Sequence, residues 1–264
     1  MRIAVCIKQV PDAKNVKLDE KTYTLKREGV ESIINPFDMY ALEEGLRIKE
    51  KMGGTVTVIS MGPPQTESSL REAVSYGADE AVLLSSRAFA GADTLATSKT
   101  LAHGIKKIGF DLIICGKQAI DGDTAQVGPE LAAHLGLPHV SFVRKVREIT
   151  EQNLTVERLM DDGYDVVRLL LPALITVVKE INLPRMPSLK GKMRAKKIEV
   201  SAWGPAEIGL DDAQAGLAGS PTKVVKVFAP QPRGKRELVV GDPAVQAASL
   251  LDRLTDDGIL KISR

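Results

Sequence analysis

A doubly wound parallel α/β sheet is the fold that this sequence predicts, on three observations. Short β-branched apolar runs recur at Ile3 to Lys8, Thr55 to Ser60, Ala81 to Leu84 and Leu112 to Cys115. Segments of helical periodicity alternate with them, the arrangement that builds parallel strands joined by right-handed crossovers. The apolar runs are continuous, as strands buried on both faces require.

In chain order, Ile3 to Lys8 is the first central strand, because it starts at once and leads straight into a loop with Pro11. Val16 to Arg27 alternates like a hairpin. Asn35-Pro36 opens a helix, with Asn in the capping position and Pro at the first helical position; Ala41, Leu42, Leu46 and Lys49 continue it. The second strand, Thr55 to Ser60, exits through the rigid turn Met61-Gly62-Pro63-Pro64 into a helix over Thr66 to Ser75. After the third strand, Ala81 to Leu84, Gly91-Ala92-Asp93-Thr94 caps a helix over Leu95 to Lys107, with Thr94, Thr97 and Ser98 in its first turns. Leu112 to Cys115 ends at Gly116, before a polar loop carrying Asp121, Gly122 and Asp123. A helix follows, with Asp123 or Thr124 as its cap and Leu131 and Leu135 on its buried face.

From Val140 onward the pattern changes to hairpin-like strands at Val143 to Ile149, Leu154 to Leu159 and Val166 to Leu171, then a last apolar strand, Ala173 to Val178. These extend the same domain with antiparallel strands, so residues 1–183 form the α/β domain. Residues 184–200 are a separate basic segment with Met186, Leu189 and Met193 among basic residues and no acid. Residues 201–264 read as an extended C-terminal arm, dominated early by Gly, Pro and Ala and ending in a helix over Pro243 to Leu254. With little periodic apolar surface of its own, the arm is expected to lie on a partner.

Composition excludes several functions. The 36 basic and 34 acidic residues leave a net charge of +2, and aromatics are 4%, so neither a nucleic-acid partner nor stacking platforms are expected. Cys6 and Cys115 lie in apolar strand runs, as small buried side chains of a reducing compartment do. No apolar run is long enough to span a bilayer, and the N-terminal run is too short for a secretion signal, so a cytoplasmic protein without membrane insertion is expected. His103, His134 and His139 lack ligand spacing, and no metal site is expected. The sequence has no Walker loop, no GxGxxG run and no catalytic Ser-His-Asp arrangement. Any chemistry would be carried by a bound cofactor, with no catalytic side chain.

Ligands of such sheets bind beyond the carboxyl ends of the strands. The exits there are Lys8 to Pro11, Met61 to Gln65, Ser85 to Thr94 and Gly116 to Gln126. Of these, the last has the makings of a phosphate site. Gly122 lets backbone approach a ligand, and the free N–H groups near Thr124 to Gly128 would face an anion. Each such contact contributes about 0.3–1 kcal/mol, so several must converge. The same pattern also serves a ligand-free strand-to-helix loop.

The phrases VCIKQVPD, NPFDMYALEEGLRIKE, MGPP, GKQAIDGDTAQVGPELAAHLGLP and SLKGKMRAKKIEV, in order from Arg2 to about Val200, resemble the β subunit of electron transfer flavoprotein. The resemblance implies an adenine-nucleotide-binding fold and an α-subunit partner carrying FAD. It also implies a nucleotide on this chain: AMP in ordinary members, a second FAD in electron-bifurcating ones. GADTLATS, Gly91 to Ser98, and DGDTAQVGP, Asp121 to Pro129, are similar to the bifurcating type. That type takes hydride from NADH and passes electrons to ferredoxin or flavodoxin and to an FAD-dependent dehydrogenase such as acyl-CoA dehydrogenase. The implied cofactor contacts are Val5, Cys6, Ile7, Lys8, Asn35, Met61, Gly62, Asp93, Thr94, Thr97, Ser98, Gly116, Asp121, Gly122, Asp123, Thr124, Ala125, Gln126, Val127 and Gly128. Thr94, Thr97 and Ser98 would offer hydroxyls to a flavin ring, although hydroxyls in a first turn are also ordinary capping groups. Leu189, with Lys190, Lys192, Met193 and Arg194, resembles a loop that docks a dehydrogenase. The alternatives are an ordinary single-FAD carrier subunit with structural AMP, or a free-standing adenine-nucleotide-binding protein.

Overall fold

The computed structural model describes residues 1–12, 17–18, 25–26, 32–225 and 238–261. In chain order these form β1 (Arg2–Cys6), β2 (Gln9–Pro11), β3 (Lys17–Leu18), β4 (Leu25–Lys26), β5 (Ser32–Ile34), α1 (Pro36–Met52), β6 (Thr55–Met61), α2 (Glu67–Tyr76), β7 (Glu80–Leu84), α3 (Thr94–Ile108), β8 (Leu112–Gly116) and α4 (Val127–Leu135). The second half adds β9 (His139–Ile149), β10 (Asn153–Leu159), β11 (Tyr164–Leu170), β12 (Ala173–Val177), α5 (Leu189–Lys197), β13 (Ser201–Trp203), α6 (Pro205–Ile208) and α7 (Pro243–Asp256). Within the hairpin expected over Val16 to Arg27, β3 and β4 pair antiparallel, and the rest of it lies outside the described residues.

Among the described residues, nine strands make one sheet in the order β11-β10-β9-β12-β8-β1-β6-β7-β13. From β9 to β13 every neighbour is parallel, whereas β10 pairs antiparallel with β9 and β11. The expected parallel sheet with an antiparallel extension is therefore the fold. Side-chain alternation divides the core into two layers. Ile3 and Val5 of β1 pack with Leu42 and Leu46 of α1 and Leu70 and Val74 of α2. Ala4 and Cys6 face the other way, against Leu101 and Ile105 of α3 and Leu131 of α4. The helices approach closely because two helical glycines let them. A Cβ on Gly45 would stand 3.0 Å from Val5 Cγ2, and one on Gly104 would stand 2.9 Å from Leu84 Cδ1.

One expectation about the second half needs correction. Residues 184–200 are not simply a loop, because Ser188 caps α5 by accepting a hydrogen bond from Gly191 N. This helix packs on α2, where a Cβ on Gly191 would collide with Ser75 O. Residues 201–225, expected to belong to the C-terminal arm, fall in the first compact unit. The chain forms two compact units, Met1–Val225 and Lys226–Arg264, and the first includes β13, which extends the sheet beside β7. Ile208, Leu210 and Ala215 are buried there. A three-residue strand and scattered single apolar side chains carry too little periodicity to be read from sequence. In the second unit, Asp242 caps α7 through Ala244 N and Val245 N, both at 3.0 Å. No helix among the described residues is long and apolar enough to cross a membrane.

Candidate functional site

Strands β1, β6, β7, β8 and β12 run parallel, so their carboxyl ends open on one rim. Two side chains at the start of α1 organise it. Asn35 is buried, and its Nδ2 donates to Gln118 O at 2.8 Å while its Oδ1 accepts from Ile120 N at 3.1 Å. The backbone of the loop after β8 is thus held by one amide side chain. Asp38, also buried, accepts from Lys8 N at 2.7 Å and from the Gly116 amide, joining the ends of β1 and β8. A side chain on Gly116 would collide with Asp38 and Phe37, so glycine is needed there for packing.

The loop then crosses the rim. Lys8 Nζ forms an ion pair with Asp121 at 2.7 Å, and the Gln118 side chain hydrogen bonds Asp123. Asp123 and Ala125 adopt φ of 55° and 54°. Left-handed conformations are uncommon for non-glycine residues and gather where a backbone shape is functionally required. Gln126, next in line, is right-handed; left- and right-handed neighbours together make the backbone nests that bind anions. No side chain caps α4, which leaves its first amides, Val127 and Gly128, open at the positive end of the helix dipole. The expected cap by Asp123 or Thr124 is therefore corrected. At Gly122 a Cβ would meet open space, and the left-handed positions fall at Asp123 and Ala125. Gly128 is required by packing, since its Cβ would lie 2.5 Å from Thr176 Cγ2.

The opposite wall begins at α3. Asp93 caps it through Ala96 N at 3.0 Å, and Thr94 Oγ1 lies 3.1 Å from Glu130 Oε1 and 3.3 Å from Gln126 Oε1, tying the starts of α3 and α4 together. The second carboxylate oxygen of Glu130 is buried without a partner among the described residues. Asp93 also accepts from Thr222 N at 3.1 Å and Thr222 Oγ1 at 2.8 Å, and its own N–H donates to Ser220 Oγ at 2.9 Å. Residues 217–222 therefore strap the start of α3. Although partial burial would raise it, bonds from Ala96 and Thr222 hold the Asp93 carboxyl below the usual aspartate range.

The predicted site residues divide on this geometry. Lys8, Asn35, Thr94 and the 121–128 stretch come together at the rim. Val5, Cys6 and Ile7 are core side chains, and only their backbone faces the strand ends. The hydrogen bond with Cys6 and then burial push the Cys115 thiol up, away from the thiolate that a nucleophile needs. Ser98 is fully buried and its hydroxyl donates to Leu95 O at 2.9 Å, while Thr97 lies one turn into the helix and its N–H bonds Asp93 O. Met61-Gly62 borders the rim, but Gly62 is required by Thr66, into whose hydroxyl a side chain would run. Sequence reasoning missed Asp38, Glu130 and Thr222; an acid three residues after Asn35, in the first turn of α1, could have pointed to the first. No cluster that could hold a metal ion is found among the described residues.

On α5, Leu189 is 79% exposed and Met193 57%, with Lys190 and Lys192 open beside them. Arg194 is different. Its Nη2 donates to Ala78 O at 2.7 Å and Asp79 O at 2.6 Å, so it anchors the helix. Upstream, Arg185 binds the buried Glu43 at 2.8 Å and Glu50, fixing the approach to α5.

Burial raises the Asp38 carboxyl to about 7, and the bonds from Asn35, Lys8 and Gly116 only partly offset it. Its folded value lies above the unfolded one, so its stability contribution is complete below about pH 4 and is lost as pH rises through about 7. Urea unfolding of the chain and of Asp38→Asn between these limits should give curves that converge or cross. The wild type should lose on the order of 4 kcal/mol relative to the variant. Parallel curves would contradict the assignment.

The electron transfer flavoprotein domain matches residues 22–208. The chain is 51% identical, over 98% of its length and 100% of the relative's, to an electron transfer flavoprotein subunit beta of Thermoanaerobacterium thermosaccharolyticum. It is 52% identical to one of Clostridium acetobutylicum over 94% of this chain and 95% of that one. It is 49% identical to the caffeyl-CoA reductase-Etf complex subunit CarD of Acetobacterium woodii, over 98% of this chain and 100% of that one. The parallel sheet with its rim loop and this likeness along nearly the whole chain agree: the protein belongs to the electron transfer flavoprotein β-subunit family, whose members pair with an α subunit.

Proposed function

We propose that this chain is the β subunit of an electron-bifurcating flavoprotein and that its rim holds FAD. The carrying observation is the pair of left-handed residues, Asp123 and Ala125, that feeds the uncapped start of α4. Such a cradle suits a diphosphate, and the Lys8–Asp121 pair beside it offers a cation to phosphate and a carboxylate to sugar hydroxyls. When bound, FAD supplies the chemistry by which a hydride from NADH is divided between ferredoxin or flavodoxin and, through the α-subunit FAD, a dehydrogenase such as acyl-CoA dehydrogenase. The chain's own part is to bind and orient. Backbone amides from Thr124 to Gly128 hold the anion, the Asp123 N–H being bonded to Ala119 O at 2.8 Å; Asn35 fixes the loop that presents them, and Thr94 with Glu130 shapes the wall at the start of α3.

The bifurcating reading draws support from GADTLATS and DGDTAQVGP, and from the A. woodii relative, whose name places it in a caffeyl-CoA reductase complex. An ordinary subunit carrying AMP is the second reading. One observation favours it: Ser98 turns inward, leaving fewer hydroxyls for a ring than the sequence suggests.

Nucleotides released from the purified heterodimer separate the two. Bifurcation predicts two FAD per heterodimer; one FAD with one AMP would overturn it. Docking is tested apart from cofactor content. Burying the exposed Leu189 on a partner would contribute about 1.5–3 kcal/mol. Leu189→Ala should therefore weaken electron delivery to the dehydrogenase roughly ten- to hundredfold in apparent affinity, and unchanged delivery would remove Leu189 from the interface.

A further inference from the structure

A cavity opens beside Lys117, the residue that follows β8. It measures about 350 Å³ and is lined by Lys117, Phe142, Arg158, Leu159, Met160, Asp161 and Val178. That is within the range of small-molecule sites.

Its shape comes from irregular backbone. The pairing of β9 slips against β10 between Glu157 and Arg158, and against β12 between Ile175 and Val177. At that slip Phe142 adopts φ of 61°, a real outlier for a bulky aromatic residue, with its N–H on Thr176 Oγ1 at 3.2 Å. The ring lies under Lys117 Nζ, 5.4 Å from its centroid. Bulges that re-aim side chains are common beside functional sites.

The polar groups are unequally satisfied. Arg158 Nε is buried without a hydrogen-bond partner, and Arg158 forms no ion pair among the described residues, although Asp165 stands opposite it in register. Lys117 likewise has no carboxylate partner among them. Asp161 is the acid on the wall, so Lys117 and Arg158 leave the lining with a formal excess of one positive charge. A buried guanidinium nitrogen without a partner costs free energy that an anion would recover.

We propose that this cavity binds a small organic anion, a carboxylate or phosphate monoester carried on a flat apolar body. The charged end lies between Lys117 and Arg158, and the body packs on Phe142, Leu159 and Val178. No bond is made or broken there. Its lining shares no residue with the nucleotide cradle at Thr124 to Gly128.

Calorimetric titration of the full-length heterodimer tests this with benzoate, phenyl phosphate, inorganic phosphate and neutral benzyl alcohol as probes. Benzoate or phenyl phosphate should bind saturably, one per β chain, and at least about tenfold tighter than benzyl alcohol or inorganic phosphate. Arg158→Leu should lower that affinity about tenfold or more while leaving nucleotide content and circular dichroism unchanged, and Lys117→Met should lower it too. Lack of saturable binding would overturn the proposal, as would equal affinity for benzoate and benzyl alcohol, or binding indifferent to both substitutions. Saturation by inorganic phosphate alone would also overturn it, by removing the apolar body from recognition.

Discussion

The rim depends on two buried polar side chains at the head of α1. Asn35 supplies a donor to Gln118 O and an acceptor to Ile120 N, and Asp38 accepts from the ends of β1 and β8. A loop that leaves a parallel sheet must find partners for its backbone away from the ladder. Here they come from a different segment of chain, 83 and 85 residues away from the two loop residues in sequence. That constraint fixes where the loop turns, and so where its left-handed residues and the start of α4 present their amides. A buried carboxyl such as Asp38 is costly to charge, which makes the junction sensitive to pH.

The strand-helix alternation was legible in the sequence because it rests on local signals. Continuous apolar runs marked β1, β6, β7 and β8, and Asn35-Pro36 and Asp93 marked helix starts. Features made by distant contacts were not. β13 is recognisable only from its pairing with β7, and the strap at 217–222 only from its bonds to Asp93. Glycines were hard to interpret for the same reason. Gly62, Gly116 and Gly128, cofactor contacts implied by the resemblance, each also face a neighbouring side chain that a Cβ would strike. The left-handed positions fell instead on Asp123, a residue type that tolerates them, and on Ala125, whose type gives no warning.

Basic residues in the 184–197 stretch also separate once contacts are known. Arg185 neutralises Glu43 and Glu50, and Arg194 closes over the turn before β7. These two hold α5 in place, while Lys190 and Lys192 stay open beside Leu189. A positively charged, partly apolar helix face, held by the Arg194 bonds to backbone carbonyls and approached through the Arg185 pair with buried Glu43, is more preorganised than a flexible loop, and ordering it on docking would cost correspondingly less.

The central claim is that main-chain amides from Thr124 to Gly128 grip an anionic nucleotide. Amide hydrogen exchange across residues 121–128, measured on the heterodimer before and after its nucleotide is stripped, tests it most directly. The account predicts slow exchange with nucleotide bound and fast exchange without it, confined to that stretch and to the Asn35-held residues 118–120. Exchange indifferent to nucleotide across residues 121–128 would contradict the account.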